Sequence, residues 1–263
     1  MKAFQDIMSS GVLWATDVRY MNDASEIAYG LKLVEGEIAE LQKEAEEMAV
    51  LLRSLQSELS YSHCFVFSLS ENRDDLPQWT AYGGRLGGLA IGFETSANVG
   101  DGSSSDAKMG NVLVNVVYDQ NLQKSSVQAL LQKAFSIYQK IRQDGMHSIG
   151  DFTGFVANRV FQHLIRLKHP CFSHEGEWRL VLEIPPNDKK IDYHSNAMGL
   201  VPHVTFKITE RGGGLFNKKM PIPKVVQGPT ADSHLAKEAL LGFLQRKEYG
   251  MTEVLVSDIP IRF

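Results

Sequence analysis

Strand-like and helix-like segments follow one another irregularly along this chain, and that irregularity limits the fold more than any single motif. Residues 2–9 carry Phe4, Ile7 and Met8 on one helical face and stop at Gly11, and Val12–Thr16 then reads as a short strand. A long helix opens at Asn22-Asp-Ala-Ser-Glu26, where Asp23 and Glu26 have the spacing of a capping box. Strand patterns recur at 61–70, 87–94, 111–118, 178–184, 200–208, 222–227 and 252–257. A short helix carrying Trp79 and Tyr82 follows Pro77, and longer helices are expected near 123–144, 151–167 and 232–247. This is not a regular strand-helix alternation, so the expected class is α+β, with mixed or antiparallel sheets and flanking helices. No repeat at solenoid or propeller spacing is present. No Pro-rich or low-complexity linker divides the chain, which predicts one domain over 1–263, with the long helix at 23–60 projecting from it or packed on it.

That long helix has its own period. Leu31, Ile38, Ala45, Leu52 and Leu59 fall on one line, and Val34, Leu41, Met48 and Leu55 on another, so apolar residues return every seven positions across 31–59. Two arrangements fit: a homodimer seam between two copies, or a helix packed antiparallel within its own domain. Because only one such segment exists, the packed helix is favoured.

Composition excludes several classes. Of 263 residues, 43% are hydrophobic and 22% charged, as in ordinary globular domains and unlike disordered chains. The formal charge of −4, with Lys and Arg scattered, gives no basic footprint for nucleic acid or membrane surfaces. No stretch has the roughly 18 uncharged apolar residues of a membrane span, and the first residues lack a secretory core, so the cytoplasm is the expected location. Cys64 and Cys171 are the only cysteines, too few for a disulfide scaffold. Cys64, inside Cys-Phe-Val-Phe, reads as a buried thiol.

Among possible chemical motifs, Gly83-Gly-Arg-Leu-Gly-Gly88 follows a helix and opens a strand, the reverse of a phosphate-binding loop, and reads as a flexible turn that lets a ligand approach the backbone. His169, Cys171 and His174 lack the further ligands and spacing of a zinc site, and no metal is expected. No GxSxG elbow occurs. Glu175-Gly-Glu177 is different. Two carboxylates flank a glycine just before the strand Trp178-Arg-Leu-Val-Leu, and alternating spacing would point both to one side, where they could divide acid-base and electrostatic roles. The competing reading is a solvated turn with a Glu–Arg179 surface pair, and on spacing alone that reading prevails.

Leu13-Trp-Ala-Thr16, Met21-Asn-Asp-Ala-Ser-Glu26, Phe67-Ser-Leu-Ser70, Trp79-Thr-Ala-Tyr82, Gly88-Leu-Ala-Ile-Gly-Phe93, Phe172-Ser-His-Glu-Gly-Glu-Trp-Arg179, Gly228-Pro229 and Ser257-Asp-Ile-Pro-Ile-Arg262 together resemble the bacterial Domain-of-Unknown-Function 2971 family. A weaker resemblance links Ser68-Leu-Ser70, then Trp79 and Tyr82, then Glu175-Gly-Glu177 to ADP-ribosyltransferases, and implies an ADP-ribosyltransferase-like fold with NAD as substrate. It implies that Glu177 holds the ribose 2′-hydroxyl and stabilises an oxocarbenium-like state, and that Glu175 orients or deprotonates the acceptor. It further implies that Ser68 and Ser70 brace the pocket, that Trp79 or Tyr82 stacks on nicotinamide, and that Arg179 pairs with a carboxylate or phosphate. Asn22, Asp23 and Glu26 are pocket-rim candidates, with helix capping as their alternative. Both families usually begin with a strand bearing a His-Tyr-Thr-like or Arg element that grips NAD; this chain starts at the following helix, so either that strand precedes residue 1 or the grip is lost.

The expected function is therefore an NAD-consuming ADP-ribosyltransferase-like enzyme in a toxin or phage-defence role, its acceptor a protein or nucleic acid not specified by these residues. The alternatives are a non-catalytic nucleotide- or partner-binding protein on the same fold and, least favoured, a metal-dependent nuclease using Asp23, Glu26, Glu175 and Glu177.

Overall fold

Phe4 and Met8 give helix α1 (Lys2–Ser10) its buried face, and Gly11 ends it with a φ of 65°, a left-handed conformation that glycine adopts without steric cost. This computed structural model describes residues 1–21, 25–41, 64–84, 87–94, 98–100, 112–143, 149–185, 187–196, 199–209 and 219–260. After α1 come β1 (Leu13–Asp17), α2 (Ser25–Leu41), β2 (Cys64–Ser70), β3 (Leu89–Gly92), β4 (Asn98–Gly100) and β5 (Val112–Asn115). Helices α3 (Gln120–Gln143) and α4 (Ile149–Leu164) follow, then β6 (Glu177–Glu183), β7 (Ile191–Asn196), β8 (Gly199–Thr209), β9 (Lys224–Gln227), α5 (Ser233–Arg246) and β10 (Glu253–Val256). The short helix Leu76–Gln78 runs into a π-helical turn at Trp79–Gly83, and a 3-10 turn spans Pro170–Glu175. The class is α+β, as expected, with mostly antiparallel pairing.

The chain divides into two compact units. The larger comprises Thr16–Leu69 and Gly110–Val204. Its strands run β1-β2-β6-β5, which makes β2 and β6 neighbours. β1 pairs antiparallel with β2, β5 with β6 and β7 with β8. Val34 and Ile38 of α2 bury against Val127 and Leu131 of α3 and Val156 and Val160 of α4, with Leu31 on the same core. Leu31, Val34 and Ile38 of the heptad line thus face the unit's own helices. Residues 42–59, together with Asn22 and Asp23, lie outside the described residues. A second core joins Cys64, Val66 and Val181 of the sheet to Phe161 of α4 and Ile165. Burial there pushes the Cys64 thiol up to about 12, so it remains a thiol.

The smaller unit comprises Met1–Ala15, Ser70–Met109 and Thr205–Phe263. Its sheet runs β10-β9-β3, parallel between β9 and β10 and antiparallel between β3 and β9. Helix α5 buries Leu240 and Leu244, and its Phe243 ring lies 5.8 Å from that of Phe4. Among the described residues no helix is long and apolar enough to cross a membrane.

Candidate active site

Residues two apart on a strand share a face, so Glu177 and Arg179 leave β6 on the same side. Arg179 Nε donates to Glu177 Oε1 at 2.9 Å and Nη2 to Glu177 Oε2 at 2.9 Å, a two-pronged pairing suited to guanidinium geometry. Arg179 Nη1 donates to the Ile165 carbonyl at 2.7 Å, and Nη2 also reaches Glu26 in the first turn of α2. With only 1% of Arg179 exposed, this is a buried network. The solvated Glu–Arg179 surface pair, preferred on spacing alone, is corrected here: Arg179 is buried and held by Glu177, Glu26 and the Ile165 carbonyl.

Lys168 completes the cluster. Its Nζ lies 2.6 Å from Glu175 Oε2, 2.9 Å from Glu26 Oε1 and 3.0 Å from Glu177 Oε2. Glu175 and Glu177 therefore do point to one side, although not by strand alternation. Glu175 ends the 3-10 turn, Glu177 starts β6, and Gly176 between them takes a φ of 49°, reversing the chain so that both carboxylates reach one ammonium. The Lys168 backbone is fixed too. Gln123 of α3, fully buried, donates from Nε2 to the carbonyls of Val117 and Lys168 at 2.6 and 2.7 Å, and Tyr29 of α2 donates to Gln123 Oε1 at 2.7 Å. The Glu177 amide donates to Tyr118 Oη at 3.0 Å.

Electrostatics follow from this wiring. Burial alone would raise the Glu177 carboxyl, but Arg179, a hydrogen bond from Ser68 and Lys168 outweigh it and hold it below the ordinary range. Burial opposes charge on Lys168 and Arg179, yet Glu175, Glu177 and Glu26 raise the first and Glu177 and Glu26 the second. Three carboxylates face two cations, leaving one negative charge in excess. The ammonium also lies 5.0 Å from the centre of the Phe172 ring.

The larger unit thus brings together Ser68, Glu26, Glu175, Glu177 and Arg179. Ser70, Trp79 and Tyr82 belong to the smaller unit. There Ser70 Oγ accepts from the Asn72 amide at 3.0 Å, shaping the turn after β2. Trp79 is buried, and its Nε1 donates to Asp74 Oδ1 at 2.6 Å, while the Ser257 hydroxyl donates to the same oxygen at 2.7 Å. A Cβ at Gly228 would come within 2.7 Å of the Trp79 ring, and one at Gly88 within 3.4 Å. The glycine run expected to admit a ligand is thus used in part to admit an indole. Tyr82 is 66% exposed. His169 Nδ1 accepts from the Cys171 amide at 3.2 Å, capping the 3-10 turn, and lies 3.0 Å from Cys171 Sγ. Sequence reasoning missed Lys168, Gln123 and Tyr118. Lys168 had a weak signal, as a lone lysine seven and nine residues before the two glutamates; the other two had none.

Fold and cluster together define an α+β protein with a buried carboxylate-cation network at the head of a sheet strand. Residues 78–180 match the family model described as Protein of unknown function (DUF2971). This is the family the sequence resembles, and the matched stretch contains Lys168, Glu175, Glu177 and Arg179 but neither Glu26 nor Ser68. No curated protein and no solved structure matches the chain significantly.

Proposed function

We propose that the larger unit carries an ADP-ribosyltransferase-like site that consumes NAD. The observation that supports this most is the hydrogen bond between Ser68 of β2 and Glu177 at the head of β6, neighbouring strands in the sheet. A serine-bearing strand beside a strand-leading glutamate is what the transferase resemblance implies. In this chemistry the bond from ribose C1′ to the nicotinamide nitrogen breaks, nicotinamide leaves with the electron pair, and positive charge develops on the ribose. A fixed carboxylate with excess negative charge around it stabilises that charge without reorganising. The acceptor's N–H or O–H then attacks C1′, and Glu175, the most exposed of the three carboxylates with 16% of its side chain accessible, takes or relays the proton. The toxin or phage-defence setting rests on the same chemistry.

A second reading has its own support. Both Glu177 oxygens already accept from Arg179, and one from Lys168 as well, which suits a rigid binding site better than a carboxylate that must engage a ribose hydroxyl. On this reading the protein binds a nucleotide or partner without turning it over. Incubation with NAD labelled on the nicotinamide separates the two. Nicotinamide release by the wild type that is lost in Glu177→Gln, with the fold intact by circular dichroism, supports the enzyme. Release unchanged by the substitution removes Glu177 from the mechanism. NAD-induced thermal stabilisation without release supports the binding protein.

A further inference from the structure

Cys171 and His169 stand outside the ionic network, and both belong to the short turn that delivers Glu175 to it. Cys171 is exposed, and its Sγ lies 3.0 Å from His169 Nδ1. The backbone settles which of the two donates. The Cys171 amide can only donate, and it does so to Nδ1 at 3.2 Å, so Nδ1 carries a lone pair and the ring proton belongs on Nε2. The thiol is therefore the donor and the imidazole the acceptor. The ring is braced as well: it meets Tyr29 edge to face with centroids 5.4 Å apart, and the Tyr29 hydroxyl is tied to Gln123 at 2.7 Å.

A nucleophile within hydrogen-bond reach of a base, with a third group fixing the base's orientation, is the arrangement that activates a thiol. Among the described residues no third His, Cys, Asp or Glu joins the pair in a group able to hold a metal ion. The chain's other cysteine supplies the contrast. Cys64 is buried, and burial pushes its thiol up to about 12, so it has neither the access nor the thiolate that covalent chemistry needs.

We infer that Cys171 is a covalent modification site for low-molecular-weight disulfides, with His169 as its base. The Cys171 sulfur attacks one sulfur of the disulfide while His169 Nδ1 takes the thiol proton. The reagent's S–S bond breaks, a new S–S bond joins one fragment to Cys171, and the departing thiolate takes the proton from Nδ1. Cys171 is oxidised to a mixed disulfide and the departing half is reduced to a thiol, so no further reactant is required. The modified turn is the one that brings Glu175 to Lys168, and Phe172, the next residue, has its ring centre 5.0 Å from that ammonium. The inference does not rest on the NAD reading, since neither the chemistry nor its test involves NAD.

The probe is glutathione disulfide, added to the full chain, with the adduct followed by intact-mass spectrometry and placed by peptide mapping. One glutathionyl group per folded chain should form, on Cys171, and dithiothreitol should remove it. The rate at Cys171 should be at least about tenfold higher in the folded chain than in the chain unfolded in urea, where no base is held beside the thiol; an exposed pair falls short of the roughly 10²–10⁴ of an enclosed acid–base catalyst. That comparison needs no variant to fold. His169→Asn keeps a side-chain oxygen to cap the turn but supplies no base, so it should lose most of the folded chain's advantage. No adduct on the folded chain, modification of Cys64 in place of Cys171, equal rates folded and unfolded, or a His169→Asn variant as fast as the wild type would each overturn the assignment.

Discussion

Lys168→Met removes one ammonium from three carboxylates that lie 2.6–3.0 Å from it. The side chain is 9% exposed, so water cannot replace the lost charge easily. Breaking one partner out of a buried ionic network costs about 3–5 kcal/mol, because the remaining charges stay buried without compensation. For a protein of this size each kcal/mol lowers the melting midpoint by roughly 2–4 °C, so the variant should melt about 6–20 °C below the wild type. The pH dependence carries the sharper information. Lys168 titrates above its ordinary value in the folded protein, so its stabilisation is fully present below about pH 10 and lost only as pH rises through the folded value. Without it, Glu26 and Glu177 keep Arg179, while the Lys168 contact of Glu175 is lost. The Glu177 carboxyl then loses one of the charges that hold it below its ordinary range, so the variant gives up less stability than the wild type as pH falls. Urea denaturation of both proteins at about pH 7 and about pH 5, followed by far-ultraviolet circular dichroism, should therefore show a deficit that narrows at the lower pH. A deficit below about 1 kcal/mol at neutral pH, or one that widens on acidification, would refute the view that this network is buried and charge-compensated by Lys168.

Three further outcomes are expected. Gly228→Ala should lose about 1–3 kcal/mol in thermal melts, because its Cβ would press to 2.7 Å from the Trp79 ring; an unchanged melting point would place slack where the packing has none. His203 is held below the ordinary histidine value by burial first and by His194 second, the two Nδ1 atoms lying 3.4 Å apart, with Asp192 partly offsetting them. A depressed histidine leaves stability at its full value above about pH 6.5 and lowers it as pH falls toward the folded value, so denaturation midpoints should drop between about pH 7.5 and pH 5.5 by a smaller amount in His203→Gln than in the wild type. A dimer seam through 31–59 predicts that Leu52→Asp converts a dimer into a monomer in sedimentation; a monomeric wild type would dispose of the seam.

Local chemistry made much of this fold legible. Gly11 marked the end of α1, Pro77 the helix that carries Trp79, and the apolar period at 151–167 the helix that becomes α4. Strand β7 was not legible, because Ile191-Asp-Tyr-His-Ser-Asn196 has mostly exposed side chains on both faces and therefore no alternation to read. The candidate site divides the same way. Glu175-Gly-Glu177 was visible as a pattern, and the glycine does place both carboxylates together. Glu26 was visible as a helix cap and a pocket-rim candidate, but not as the partner of Arg179. Its actual partner, Arg179, lies 153 residues away in sequence, and no local spacing carries such information. Trp79 was a stacking candidate only through the transferase resemblance; its burial against Gly228 depends on a strand that arrives far later in the chain.

The interleaved segments of the two units have a consequence for biosynthesis. Every residue of the larger unit has been made once Val204 emerges, whereas the smaller unit still lacks everything from Thr205 onward. Strand β3 pairs with β9, so Leu89–Gly92 must wait for Lys224–Gln227 while the ionic network can already assemble. A ribosome paused between these points would hold a nascent chain with one finished half and one unpaired strand edge, the state most open to misassociation and most in need of chaperone cover.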